Sequence, residues 1–168
     1  NKIVNEDNLN IELFTTATSS SKVGTYPITL KYSNDNYIVN VVEGTFTITA
    51  LQYTITVYNQ TSVYGDVINL DQTKFKISDE NVDINSLKIE LQTNATINSS
   101  VGGYEINAIT HNSNISLIVN EGVLTITARP IGLTIENQTA TYGEISLNQN
   151  SYVLESTVND DVLNITLT

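Results

Sequence analysis

The chain repeats itself at a spacing of 78 residues. "VGTYPI" at 23–28 returns as "VGGYEI" at 101–106. Between residues 9 and 66, 27 of 58 positions are identical to those 78 further along, without a gap. Leu9-Asn10-Ile11-Glu12-Leu13 falls on Leu87-Lys88-Ile89-Glu90-Leu91, and Thr47-Ile48-Thr49-Ala50 on Thr125-Ile126-Thr127-Ala128. Asn59-Gln60-Thr61 and Tyr64-Gly65 return as Asn137-Gln138-Thr139 and Tyr142-Gly143. A fixed period marks a tandem array. This one is longer than a solenoid turn, and a unit of this size can bury its own small core. The expectation is a row of small domains, each closed on itself.

The period leaves the frame open. In one frame residues 53–130 are a complete repeat, 1–52 the C-terminal part of one before it, and 131–168 the N-terminal part of the next. In the other, 1–80 and 81–158 are two whole repeats. The beginning at Asn1 reads as an excerpt from a longer chain, because residues 1–20 are polar and acidic and carry no leader pattern.

Residues 53–130 read as strands. "YTITVYN" (53–59), "TKFKIS" (73–78), "LKIELQT" (87–93) and "YEINAIT" (104–110) are β-branched or alternate, as a pleated, half-buried surface requires. "ISLIVNEGVLTITA" (115–128) reads as two strands joined at "NEG". "TSVYGD" (61–66), "NATINSSVGG" (94–103) and "HNSN" (111–114) read as turns. "DENVDINSL" (79–87) reads as a loop or one short helix capped by Asp79. The count is about six strands per unit. The fold class expected is mainly β: tandem small β-rich repeat domains, as an Ig-like sandwich or a β-grasp-like unit with at most one short helix. The joints "TALQYTI" (49–55) and "TARPIGLTI" (127–135) are short, and Pro130 stiffens the second.

Composition removes several function classes. The net charge is −11, which argues against nucleic acid and against an anionic membrane surface. Cysteine is absent, so disulfides, thiolate metal sites and redox motifs are excluded. No apolar run is long enough to span a membrane as a helix.

The motif order resembles the MBG repeat of the YG type, found in long bacterial surface proteins and adhesins. In 53–128 the resemblance rests on Tyr64-Gly65-Asp66, Val101-Gly102-Gly103-Tyr104 and Glu121-Gly122-Val123-Leu124-Thr125-Ile126. In the copy before, it rests on Val23-Gly24-Thr25-Tyr26, Asn36-Tyr37 and Gly44-Thr45-Phe46-Thr47-Ile48; Tyr142-Gly143-Glu144 opens the next. Asn36-Tyr37 becomes Asn114-Ile115, a departure from the pattern. The resemblance implies an extracellular setting on a bacterial surface or cell wall, and a frame that begins near residue 53. It also implies a role as stalk, sometimes linked to mucin or host binding.

Candidate chemistry is sparse. Tyr64 with Gly65, Tyr142 with Gly143, and Tyr26 and Tyr104 are the repeated aromatic and glycine positions. A tyrosine ring can stack on a sugar; it can equally anchor a turn, with its hydroxyl at the rim. The only histidine, His111, stands where the other repeat has Ser33, and reads as a turn residue. Asp79, Glu80 and Asp83 supply oxygen ligands suited to calcium, but the cluster does not recur, and capping and solvation account for it. None of the six lysines (2, 22, 31, 74, 76 and 88) has a lysine counterpart, which argues against an isopeptide staple common to the repeats. Sequons occur at Asn59, Asn94, Asn98, Asn114, Asn137 and Asn164. No catalytic set, cofactor or metal is expected, and no enzyme activity.

Three functions follow as expectations. The first is a stalk or spacer projecting a distal domain, with neighbouring repeats of the same chain as its partners. The second is an adhesive module for host mucin or glycans. The third is a filament subunit, in which a half-unit pairs with a neighbouring molecule by strand complementation.

Overall fold

A computed structural model describes residues 3–4 and 7–167. Twelve strands and one helical turn are formed among them, so the chain is mainly β. The strands are β1 (Glu12–Thr15), β2 (Gly24–Lys31), β3 (Gly44–Ile48), β4 (Leu51–Val57), β5 (Gln60–Val63), β6 (Phe75–Ile77), β7 (Ile89–Thr93), β8 (Gly102–Thr110), β9 (Ile115–Asn120), β10 (Gly122–Thr127), β11 (Leu133–Ile135) and β12 (Tyr152–Leu154). The helix α1 is Ile84–Leu87.

Four sheets result: β1-β2-β3, β5-β10-β8-β7, β6-β4-β9 and β11-β12. Strand β10 runs antiparallel to β8, with Leu124 opposite Tyr104, and parallel to β5, with Leu124 opposite Gln60. The same register recurs in the first sheet, where Phe46 lies opposite Tyr26.

The buried core is Ile55, Val57, Ile77, Leu87, Leu91, Ala95, Ile106, Ala108, Leu124 and Ile126. Alternation places these residues: in β10, Gly122, Leu124 and Ile126 are buried while Val123, Thr125 and Thr127 are exposed, the period of two that a sheet with one covered face demands. All ten lie between Ile55 and Ile126. Their counterparts elsewhere range from half-buried to exposed. Leu91 is 3% exposed and Leu13 is 69%; Leu124 is 2% and Phe46 is 45%.

Two sequence readings are corrected. "TSVYGD" is not all turn, because Gln60–Val63 form β5, and the stretch 53–128 therefore holds seven strands and not six. The helix is one turn, shorter than 79–87, and its N-cap is Asp83, whose Oδ1 accepts from Asn85 N at 3.1 Å. Asp79 instead closes a local turn by accepting from Asn81 N at 3.0 Å.

Small polar devices recur with the period. Gln60 donates to Asp71 O at 3.2 Å and accepts from Asp71 N at 2.8 Å. Gln138 makes the same pair with Asn148, at 3.2 and 2.7 Å. The second loop is one residue shorter, which is where the period slips after residue 66. The Asp71 carboxyl is held below its ordinary value by the Thr73 hydroxyl and the Thr73 amide.

The chain divides into two compact units. One comprises residues up to Thr54, with Ile77–Glu90 and Thr110–Ile118; the other comprises Ile55–Lys76, Leu91–Ile109 and the residues from Val119 onward.

Candidate functional site

The six repeated tyrosine and glycine positions occupy two kinds of place. Tyr26 and Tyr104 are half-buried in β2 and β8. Each donates its hydroxyl to a carbonyl four residues earlier, Tyr26 to Lys22 at 2.7 Å and Tyr104 to Ser100 at 2.9 Å. The loops they close are built alike. Thr18 N donates to Ser21 Oγ at 2.8 Å, and Thr96 N to Ser99 Oγ at 2.9 Å. A ring held by its own loop satisfies its polar tip locally, which gives "VGxYxI" a structural reason to recur.

Tyr64 and Gly65 sit in a turn that meets the segment after Pro130. Gly65 has φ 80°, a region that disfavours any side chain. A Cβ there would also lie 2.5 Å from Val158 Cγ2. The turn is closed by Asp66 N donating to Val63 O, and tied to β10 by Tyr64 N donating to Thr127 O. Arg129 braces it from the joint. Its Nε donates to Tyr64 O at 2.7 Å, and its guanidinium bonds the Asp66 carboxylate.

The far side of the joint is tied as well. Gly132 N donates to Glu155 Oε2 at 2.8 Å, and Glu155 N returns to Gly132 O at 3.0 Å. Asn159 and Asp160 take φ 54° and 58°, which turns the chain so that Asn159 Nδ2 reaches Ile97 O at 3.1 Å. Between these ties lies a small cleft of about 180 Å³ lined by Tyr64, Val101, Ile131, Val158 and Leu163, with Arg129 at its side. Ala128, Thr157 and Asp161 complete its lining.

Tyr142 and Gly143 repeat the turn without the surroundings. Gly143 has φ 86°, yet nothing lies within 4 Å of a Cβ built there. Tyr142 is fully exposed. The repeated motif thus places its four turn residues identically in backbone and differently in contact, while Tyr26 and Tyr104 lie apart from both turns in sequence and role. Arg129 and Val158, which complete the Tyr64 turn, were not singled out by the sequence. One signal was available: Arg129 is the chain's single arginine, and it stands in a joint.

The other candidates are locally engaged. His111 Nε2 lies 2.6 Å from Glu90 Oε2, with both side chains about half exposed. Lys31 Nζ lies 4.9 Å above the Phe14 ring; Lys2 is outside the described residues. Asn59 Oδ1 accepts from Val123 N at 2.9 Å, and Asn114 Oδ1 from Val23 N at 3.0 Å, so two of the sequon side chains serve the fold. Among the described residues no group of three His, Cys, Asp or Glu is placed to hold a metal ion.

One carboxyl pair is perturbed. The hydrogen bond to Glu105 raises the Glu121 carboxyl above its ordinary value, with desolvation and the Glu105 charge acting the same way. A carboxyl raised by folding binds its proton more tightly folded than unfolded. Its contribution therefore favours folding below the ordinary carboxylate range and is lost as pH rises through the raised value. Glu121→Gln is expected to reduce the loss of stability between acid and neutral pH, measured by urea unfolding at a series of pH values. An unchanged pH slope would contradict the assignment.

Residues 1–47 match the family model of the MBG domain, YGX type. The match spans less than a third of the chain. It contains Val23-Gly24-Thr25-Tyr26, Asn36-Tyr37 and Gly44-Thr45-Phe46-Thr47, the stretch in which the resemblance is densest. Beyond the matched residues the internal identity repeats these motifs in the next copy, where β7, β8 and β10 stand in the places of β1, β2 and β3. No curated protein matches the chain.

Proposed function

We propose that this chain is a spacer: a tandem-repeat stalk segment of a long bacterial surface adhesin, extracellular and held at the cell surface or wall, projecting a distal domain and performing no catalysis. The MBG match supports a repeat domain of surface proteins. The observation that carries the stalk reading is the braced joint. Arg129 and the Val158–Gly65 contact hold the chain around and after residue 130 against the turn at 64–66. A joint of this kind converts each added repeat into length, whereas a Gly/Ser linker would let it collapse.

The reading takes 53–130 as the complete repeat, with 1–52 and 131–168 as parts of its neighbours. It is supported by the confinement of the core to Ile55–Ile126. The partners are then neighbouring repeats in the same chain. Small-angle scattering tests the proposal. A compact chain of this length has a radius of gyration of about 15 Å; a stalk segment gives a value well above that and a skewed distance distribution. A compact globule would defeat the proposal.

A further inference from the structure

Strand β5 follows β4 directly and lies beside β10, the last strand of the repeat 53–130, and the two run parallel. In a spacer, tension enters this repeat ahead of β4 and leaves it through Pro130. Once β4 parts from its neighbours β6 and β9, the load draws β5 from its first residue, Gln60, and β10 from its last, Thr127. Gln60 stands opposite Leu124, and Val63 opposite Thr127, so the two pulls oppose each other along one axis. Parallel strands carry evenly spaced bonds. Loaded this way they must slide, and the bonds bear the load together. Strands pulled from the same end peel apart one bond at a time.

The pair is tied beyond its own ladder. Ahead of β5, Asn59 Oδ1 accepts from Val123 N at 2.9 Å. Within it, Thr127 Oγ1 donates to Ser62 O at 3.2 Å. Past its end, Tyr64 N donates to Thr127 O at 2.9 Å, Arg129 Nε donates to Tyr64 O at 2.7 Å, and the Arg129 guanidinium bonds the Asp66 carboxylate. Residues 59–66 are thus joined to 123–129. No residue of β5 is fully buried, so hydrogen bonds more than core packing hold it to β10.

We infer that β5 and β10 form a shear clamp, the element through which the repeat bears tension. The direction of load comes from the spacer reading, on which the clamp's role therefore rests.

Single-molecule stretching of the full chain at constant force is the test. Held by its two ends, the chain is expected to show a resistant step that releases the residues between Asn59 and Arg129, about 3.4 Å for each. Since the chain has no cysteine, a Tyr58→Cys, Glu121→Cys variant can instead be held at the starts of both strands, where the clamp peels. At equal force the step should then come more than about tenfold sooner. Asn59→Ala and Thr127→Val each delete one clamp bond, and each should speed the step about fivefold under end-to-end load. Thr110→Val deletes a hydroxyl bond outside the clamp, to Leu87 O at 2.5 Å. That bond is still intact when the clamp gives way, so the rate should stay within about twofold. A step indifferent to where the chain is held, or as sensitive to Thr110→Val as to the clamp variants, overturns the inference. Scattering keeps the two readings apart. A compact globule defeats the spacer, whereas an elongated chain whose step ignores the direction of pull defeats the clamp alone.

Discussion

Gly122→Ala is expected to destabilise the protein by about 3 kcal/mol, at the upper end of overpacking costs, while Gly44→Ala changes stability by less than about 0.5 kcal/mol. The two glycines are counterparts at the start of β10 and β3. They differ in what approaches them. The carbonyls of Val57 and Tyr58 lie so close to Gly122 that a Cβ would fall at 2.9–3.1 Å from backbone atoms. Backbone atoms held in a sheet cannot swing aside as a side-chain end can, so the strand itself must shift. A domain of this size loses roughly 4–8 °C of melting temperature per kcal/mol, so thermal unfolding separates the pair clearly. Equal effects would mean that the β4–β5 backbone does not pass over Gly122 as described.

The mainly β class was legible because the chain repeats its apolar alternation, and a pattern written twice is not accidental. The four strands read from "YTITVYN", "TKFKIS", "LKIELQT" and "YEINAIT" are β4, β6, β7 and β8. Strand β5 was not legible. "QTSV" is polar, carries no alternation, and is a strand only because β10 runs beside it; pairing, not local preference, makes it one. The helix cap moved from Asp79 to Asp83 for a similar reason. Both aspartates suit a cap, and Leu87, 1% exposed, marks where the turn has to end.

The joint was harder still. Comparison of copies finds what recurs, and Arg129 and Val158 do not recur: their counterparts are Leu51 and, after the one-residue slip, Asn81. A contact spanning 93 residues, from Gly65 to Val158, leaves no trace in a local pattern. The tyrosines show the opposite case. Tyr26 and Tyr104 bind carbonyls four residues away, so the whole device lies inside the motif that repeats.

Ile106→Ala should cost about 4 kcal/mol, in the range for emptying a buried isoleucine site, and Ile28→Ala about 1 kcal/mol. Ile106 is 0% exposed in the centre of β8, opposite the buried Gly122 of β10. The surrounding strands are hydrogen-bonded on both sides and cannot close on the void, so the cavity term adds to the transfer term. Ile28 occupies the same position in β2 but is only half-buried, and water already reaches it. Urea unfolding with a common slope distinguishes them. Equal costs would mean that Ile28 is as fully covered in solution as Ile106, against the half-burial described.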